Sequence, residues 1–303
     1  MELSRSPGKA PPVLIIFNPV AGGSRRRRFA RALRCLRGAG ARVEIAETRH
    51  AGHAAVLAAE AARRGERLIV AGGGDGTVAE VAGGMAGSGA TLGLLPLGTA
   101  NVLAHELGLP IGPEQAAGVL MTGREVVLRP GIARYPGGRQ RLFVQMLGAG
   151  FDAAVVTHLN PAEKRRFGKG AYLAESLRQI GAYRFPTILA GLDDAPMQAV
   201  ASVIVSKGRL YAGRFVALPG ASPLHAGFSV LRFTRGGPLA TMIAGSALPL
   251  GLLHRVPGAV LERAGRVHLA SASPVPAQAD GDAAGELPVV IEDAPEGLPF
   301  LVP

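Results

Sequence analysis

Three glycine-rich turns stand out among the residues that could do chemistry. The segments FNPVAGGS (17–24), VAGGGDGT (70–77) and LPLGTAN (95–101) each contain or follow an apolar run. Turns of this kind leave backbone N–H groups beside the start of a helix, which suits a phosphate group. One such turn could serve only to reverse the chain tightly, but three of them favour a shared phosphate site.

The second turn contains the carboxylate of Asp75, which limits the ligands that the turns can bind. This carboxylate would repel a phosphate group unless a cation lay between them. GGGDGT lacks the spacing of a GxGxxG dinucleotide turn, and no lysine completes a GxxxxGK[ST] loop. The turns therefore predict a site for a nucleotide with Mg²⁺, and phosphoryl transfer.

The elements that must position these turns alternate between strand and helix over the first 125 residues. Such alternation predicts a parallel sheet with helices on both faces, and ligands bind at the carboxyl ends of its strands. The strand patterns cover 12–19, 41–48 and 67–74, and 91–101 is a strand with a glycine turn. The helical patterns cover 24–40, 51–65, 77–88 and 101–109.

From about residue 126 the pattern changes to short β-type runs separated by glycine and proline, with one helical stretch at 169–183. This pattern predicts an antiparallel sandwich or barrel-like domain. We therefore predict a nucleotide-binding α/β domain over 1–125 and a β-rich substrate domain over 126–287. The segment 288–303 is either a tail or a strand that returns to the first domain.

The order and spacing of NPVAG, GGDGT and GTAN resemble the diacylglycerol kinase and sphingosine kinase superfamily of lipid kinases, in particular its bacterial, soluble, two-domain members. GAGFDAAV (148–155), KGAYL (169–173) and QADGD (278–282) extend the resemblance over the whole chain. It implies an N-terminal domain similar to NAD kinases and phosphofructokinases and a C-terminal antiparallel β-sandwich. It also implies a kinase of phospholipid metabolism that uses ATP and Mg²⁺ to phosphorylate a diacylglycerol-like or sphingoid-like hydroxyl.

Two other functions stay open. GGDGT is shared with NAD kinases, so the chain could phosphorylate a soluble nucleotide. It could also be a non-catalytic regulator that binds a lipid or a nucleotide.

The resemblance implies a role for each matching residue. The nucleotide would contact the first turn, the phosphate loop with the helix behind it, and the third turn: Asn18, Pro19, Ala21, Gly22, Thr48, Gly72, Gly73, Gly74, Asp75, Gly76, Thr77, Glu80, Thr99 and Asn101. Asp75 would act through Mg²⁺. In the second domain Asp282, together with Asp280, would accept or orient the proton of the lipid hydroxyl.

The sequence departs from the family pattern at two places. The family's Asp-Gly-Glu motif is Asp280-Gly281-Asp282 here, so the second carboxylate is one methylene shorter and its reach would have to come from closer domain packing. The family often binds a second, structural Mg²⁺ through an Asp-Gly turn, where this chain has His225-Ala226. We expect that second metal site to be lost.

The net charge of +11 is concentrated in residues 131–269, which hold 17 basic and 6 acidic residues. A basic domain meets anions, and we expect an anionic membrane surface that presents the lipid substrate. EKRRFGKG (163–170) precedes an amphipathic stretch with Leu173, Leu177 and Ile180 on one face, which suits either membrane docking or a core-packed helix. With 5% aromatic residues and no nucleic-acid motif, we expect no nucleic-acid partner.

No targeting or membrane-spanning segment is visible in the sequence. The apolar stretch 239–253 is shorter than the roughly 20 residues that a spanning helix needs. We predict a cytoplasmic protein with peripheral membrane association. Its oligomeric state, a homodimer included, is left open.

Two further features of the sequence concern single residue types. The run Arg25–Arg28 faces either an anionic partner or solvent, and the single Cys35 excludes an internal disulfide.

Overall fold

Six strands form the sheet of the N-terminal domain in the computed structural model, which describes residues 13–19, 22–160, 163 and 169–303. The strands are β1 (Val13–Phe17), β2 (Val43–Glu47), β3 (Leu68–Gly73), β4 (Thr91–Pro96), β5 (Arg124–Leu128) and β20 (Leu298–Val302). Their order in the sheet is β2-β1-β3-β4-β20-β5. The first five in that order are parallel, and β5 is antiparallel to β20.

Helices cover both faces of this sheet, as the sequence predicts. Alternate residues of the fully buried β1 serve the two cores: Leu14 and Ile16 pack with helices α2 and α3, whereas Ile15 and Phe17 pack with α1 and α5. The helices are α1 (Gly22–Gly38), α2 (His53–Arg63), α3 (Asp75–Met85), α4 (Val102–Glu106) and α5 (Pro113–Thr122).

Two six-stranded antiparallel sheets form the second domain, with orders β10-β9-β16-β19-β6-β7 and β15-β14-β11-β8-β17-β18. Residues of both sheets share one core, for example Ala133 and Ile291 with Leu147 and Val203, so the domain is a β-sandwich. A further hairpin pairs β12 with β13. The strands are β6 (Gly131–Arg134), β7 (Gln140–Phe143), β8 (Met146–Ala149), β9 (Ile188–Leu192), β10 (Gln198–Val200), β11 (Ser202–Ser206), β12 (Leu210–Tyr211), β13 (Phe215–Val216), β14 (Phe228–Phe233), β15 (Ala259–Ala264), β16 (Arg266–Ala270), β17 (Pro276–Ala279), β18 (Asp282–Glu286) and β19 (Val289–Asp293).

The described part of this domain also has three α-helices where the sequence predicts one. They are α6 (Phe151–His158), α7 (Lys169–Ala182) and α8 (Pro238–Ala247). Helices α6 and α8 lack the separation of apolar and polar residues onto opposite faces that marks an amphipathic helix. This explains why periodicity does not reveal them.

Two segments pair across the predicted domain limits. The boundary at 125 falls inside β5, which pairs with β20 and completes the first sheet. At the other end, Val289–Asp293 pairs with β6 and β16 in the second domain, and only Leu298–Val302 returns to the first sheet. Within the described residues, no helix is both long and apolar enough to cross a membrane.

Candidate functional site

The carboxyl ends of β1, β3 and β4 lie side by side, and backbone hydrogen bonds tie together the turns that follow them. The amide of Asn18 donates to the carbonyl of Gly72 at 3.0 Å. The amides of Leu97 and Gly98 donate to the carbonyl of Gly73 at 2.8 and 3.1 Å. The structure thus brings the three glycine turns together at one edge of the sheet.

The turn after β3 needs glycine because its neighbours leave no space for a side chain. A Cβ on Gly74 would lie 3.1 Å from the Cα of Gly98, and a Cβ on Gly73 would lie 2.6 Å from the Cβ of Thr77. Backbone therefore lines this part of the edge, so a ligand can approach the main chain closely.

Helix α3 begins immediately after this turn. Gly74 is its N-cap in an extended conformation, and no side chain caps it. An uncapped helix N-terminus presents N–H groups and a partial positive charge to an anion. The side-chain amide of Asn18 reaches across and donates to the hydroxyl of Thr77 at 3.2 Å. The arrangement can hold a phosphate group.

The remaining residues predicted to contact a nucleotide lie along the same edge. Thr48 is buried just beyond β2, Pro19 follows β1, and Gly22 is the first residue of α1. Thr99 is exposed in the turn after β4. Ala21 lies outside the described residues.

Asn101 is a strained residue with an unused acceptor. Its backbone is left-handed, with φ of 47°, and its side-chain amide donates to the carbonyl of Gly98 at 3.0 Å. Its Oδ1 is buried and has no hydrogen-bond partner among the described residues. A buried acceptor without a donor is unfavourable, so this atom can accept a hydrogen bond from a ligand.

The carboxylate of Asp75 is fixed by helix α4. Its Oδ1 accepts a hydrogen bond from the amide of Leu103 at 3.2 Å, at the start of that helix. Burial raises the pKa of Asp75, and hydrogen bonds from backbone amides at Leu103, Val102 and Asn101 oppose the shift. Asp75 therefore links the second glycine turn to the third.

Glu80 does not contribute its carboxylate to the phosphate loop. It accepts hydrogen bonds from the amides of Gly52 and Ala54 at 2.8 and 3.1 Å, so it caps the N-terminus of α2. The sequence predicts a nucleotide contact for Glu80, whereas its carboxylate fixes α2 against α3.

Asp280 has a structural role in the turn between β17 and β18. Its carboxylate accepts three backbone hydrogen bonds, from Val144, Gln145 and Met146, at 2.8 to 2.9 Å. Burial raises the pKa of Asp280 to about 6, with a smaller contribution from the charge of Asp75, while the three amides lower it. Since both of its oxygens are bonded to amides, Asp280 orients the turn rather than accepting a substrate proton.

Asp282 reaches the first domain from this same turn. A Cβ on Gly76 would lie 2.8 Å from Oδ2 of Asp282, so this carboxylate touches the first turn of α3. Asp282 therefore reaches the first domain with its aspartate side chain. Asp282 and the turn after β3 lie beside each other where the two domains meet, and we call this place the cleft.

Gln278, Asp152 and Tyr211, to which the sequence assigns no individual role, position the turn that carries Asp282. The amide of Gly281 donates to Oε1 of Gln278 at 2.9 Å, and Nε2 of Gln278 donates to Asp152 at 2.8 Å. Asp152 also accepts a hydrogen bond from the hydroxyl of Tyr211. Burial raises the pKa of Asp152, although both hydrogen bonds lower it. The GAGFD segment was the available signal, since it ends in this aspartate.

A buried lysine lies beside His225-Ala226, where the resemblance implies a second metal. The ammonium of Lys207 donates to the carbonyls of His225 and Gly227 at 3.2 and 2.8 Å, and pairs with Asp293. Burial lowers the pKa of Lys207, and Asp293 opposes that shift. A divalent ion would meet a positive charge here, so the residues do not fit the structural Mg²⁺ site.

Two arginines of the Arg25–Arg28 run are used by the fold. Arg25 donates to the carbonyl of Leu97 at 3.0 Å, and Arg28 donates to those of Pro96 and Ile111 at 2.9 and 2.8 Å. They fix α1 to the end of β4. Burial lowers the pKa of Arg25, with a smaller effect from Arg28.

The carboxylates of the cleft could hold a metal ion together with the phosphates of a nucleotide. The described residues contain no group of three or more histidine, cysteine, aspartate or glutamate side chains placed to hold a metal. Asp75 precedes Gly76 in the chain and the carboxylate of Asp282 lies beside Gly76. Mg²⁺ in phosphate-transfer sites is bound by one or two carboxylates together with substrate phosphates.

The fold is that of solved two-domain proteins. A crystal structure described as a diacylglycerol kinase from Bacillus anthracis matches with a TM-score of 0.77 and 20% sequence identity, over 99% of each chain. Another crystal structure from that organism matches with a TM-score of 0.79, over 100% of this chain and 99% of the other. At this identity the likeness establishes the fold.

The sequence comparisons agree with the resemblance. Residues 12–131 match the family model "Diacylglycerol kinase catalytic domain". Proteins named "Probable lipid kinase YegS-like" are 34% identical over 170 residues in Serratia proteamaculans and 40% identical over 144 residues in Pseudomonas putida. The matches cover 55% and 47% of this chain, and it spans about half the length of these curated relatives, 54% and 47%. The match of residues 12–131 to this family model confirms the resemblance.

Proposed function

We propose that this protein is an ATP-dependent lipid kinase, which transfers the γ-phosphate of ATP to a hydroxyl group of a diacylglycerol-like or sphingoid-like lipid. The observation that carries the proposal is the contact of Asp282 with Gly76. It brings a carboxylate of the second domain against the glycine turn of the first. A base is needed at that position if the first domain holds the phosphates and the second holds the lipid.

Each part of the cleft has a role in this proposal. The backbone of the turn after β3 and the start of α3 bind the phosphates, and Asn18 and Thr77 fix their orientation. Asn101 accepts a hydrogen bond from the nucleotide through its buried Oδ1. Mg²⁺ would neutralise phosphate charge, held by Asp75 and by the phosphates themselves.

The transfer itself requires little from the protein besides positioning. The lipid hydroxyl oxygen bonds to the γ-phosphorus while the bond to the bridging oxygen breaks, and Asp282 takes the hydroxyl proton. Positioning and charge neutralisation supply most of the rate enhancement in such reactions. Asp280 and Gln278 support Asp282 through the backbone of their turn.

The test is transfer of ³²P from [γ-³²P]ATP to a panel of lipids in mixed micelles with Mg²⁺. The wild-type protein should label at least one lipid, and Asp282→Asn should lower the rate by roughly 100-fold or more, which is typical for loss of a general base. Labelled NAD in a parallel reaction, without labelled lipid, would contradict the proposal in favour of a soluble substrate. Tight ATP binding without transfer to any lipid would favour a regulator.

A further inference from the structure

Helix α7 buries polar side chains and exposes apolar ones. Glu175 and Gln179, which are polar, are 5% and 8% exposed, whereas Leu173 and Leu177 are 64% and 63% exposed. The buried polar atoms are satisfied, because Gln179 donates to Glu175 at 2.8 Å and Arg178 donates to Glu175 at 3.1 Å. The outward leucines are therefore not a consequence of poor packing. They form a face that suits an apolar environment outside the protein.

Helix α8 packs against α7 and carries exposed apolar side chains of its own. Leu239, Met242 and Ile243 are 72%, 56% and 42% exposed, and none of the residues of α8 is buried. Leu250, which follows the helix, is 72% exposed and lines one open depression with them. We call these six side chains the α7–α8 surface: Leu173, Leu177, Leu239, Met242, Ile243 and Leu250.

The charges around the α7–α8 surface are mainly positive and favour an anionic partner. Within 169–185 and 234–258 the sequence has one acidic residue, the buried Glu175. Arg184, Arg235 and Arg255 are exposed in the same segments. A second copy of the chain would bring like charges together, whereas an anionic bilayer offers both an apolar interior and negative headgroups.

The surface also lies next to the cleft. The hydroxyl of Tyr172, the residue before Leu173, is 3.5 Å from the carbonyl of Gly281, which lies between Asp280 and Asp282. Helix α7 therefore separates the exposed leucines from the turn that carries the proposed base. A bilayer in contact with the α7–α8 surface would present its lipids beside the cleft.

We propose that the α7–α8 surface inserts into the interfacial layer of an anionic phospholipid bilayer, with the flanking arginines on the headgroups. The lipid-kinase function rests on Asp282 and the glycine turns, and this docking step deepens it by naming where the membrane binds. No helix of the described residues spans the bilayer, so the contact is interfacial.

Sedimentation with sucrose-loaded vesicles tests the docking without ATP. The wild-type protein should bind vesicles of phosphatidylglycerol and phosphatidylcholine more tightly than vesicles of phosphatidylcholine alone. Leu239→Ser/Leu250→Ser should weaken binding by roughly tenfold or more, since each leucine loses its transfer into the apolar layer. Arg235→Gln/Arg255→Gln should reduce the preference for the anionic vesicles, since only Arg184 of the three exposed arginines remains.

The matched control is Val56→Ser/Val127→Ser, which removes two apolar side chains, 51% and 46% exposed, from the first domain. It should bind vesicles as the wild type does. Equal binding by Leu239→Ser/Leu250→Ser and the wild type would overturn the proposal, as would a wild-type dimer in gel filtration that this variant converts to monomers. Vesicle binding without lipid phosphorylation would contradict the kinase function and leave the docking surface supported.

Discussion

Gly76 and Asp282 occupy one gap between the two domains: a Cβ added to Gly76 would lie 2.8 Å from Oδ2 of Asp282. The absence of a side chain at Gly76 leaves room for the carboxylate of Asp282 beside the turn after β3. The contact joins elements that are some 200 residues apart in the sequence. It makes the position of the carboxylate sensitive to a single methyl group.

Gly76→Ala should therefore displace Asp282 and lower kcat for lipid phosphorylation by roughly 100-fold, since a shift of about 1 Å at a reacting group has effects of this size. The KM for ATP should change much less, because the backbone of the turn is retained. Steady-state transfer in mixed micelles, with ATP varied at saturating lipid, separates the two parameters.

Gly83→Ala is the control in the same helix. Gly83 is exposed and a Cβ there has nothing within 4 Å, so this variant should keep the wild-type kcat. It should also be slightly more stable, since alanine favours helix over glycine by about 1 kcal/mol. Wild-type kcat in Gly76→Ala would mean that the position of Asp282 does not matter for transfer.

Gln278→Met should lower kcat without a comparable change in the KM for ATP. Methionine keeps the volume of glutamine but neither accepts the amide of Gly281 nor donates to Asp152. The turn would lose its orientation, and we expect a decrease in kcat of roughly tenfold, about 1.4 kcal/mol. Gln198→Met, which removes a hydrogen bond with Arg232 away from the cleft, should leave kcat unchanged. An equal effect of both variants would indicate a general loss of stability instead.

Much of the first domain is predictable because its signals are local. The apolar run of β1 and the three glycine turns indicate a parallel sheet and its ligand edge, and Gly74 and Gly98 do pack against each other. The role of Glu80 is not predictable in this way, because its partners Gly52 and Ala54 come from a different helix.

Contacts made by tertiary packing explain the other differences. The pairing of Lys207 with Asp293 joins residues 86 positions apart, and nothing in either local sequence indicates it. The resemblance implies a catalytic role for Asp280 together with Asp282, yet the carboxylate of Asp280 is held by the backbone of residues 144–146. Short-range patterns identify the turn, and only the assembled sandwich shows which of its carboxylates faces the cleft.

Lys207→Met should destabilise the protein by about 3 kcal/mol, because it leaves Asp293 and the carbonyls of His225 and Gly227 without their cation. Urea unfolding, with m-values compared, measures the loss. The wild-type Tm should be the same in EDTA as in MgCl₂ without nucleotide. A Tm that falls by several degrees in EDTA would indicate a structural metal and contradict the role assigned to the lysine.

Asp280→Asn should change how stability depends on pH. Because the pKa of Asp280 is raised to about 6 from 3.8, the folded wild type binds more protons than the unfolded chain between these values. Its free energy of unfolding therefore decreases through this group as the pH rises, until the pH is well above 6. Between pH 5 and pH 7 the wild type should lose about 1 kcal/mol relative to the variant.

Asparagine retains an acceptor for some of the three amides but opposes another. The Asp280→Asn variant should therefore be less stable than the wild type at both pH values, with a smaller difference at pH 7. A difference that grows from pH 5 to pH 7, in urea unfolding at constant ionic strength, would mean that the three amides hold the pKa of Asp280 below its ordinary value.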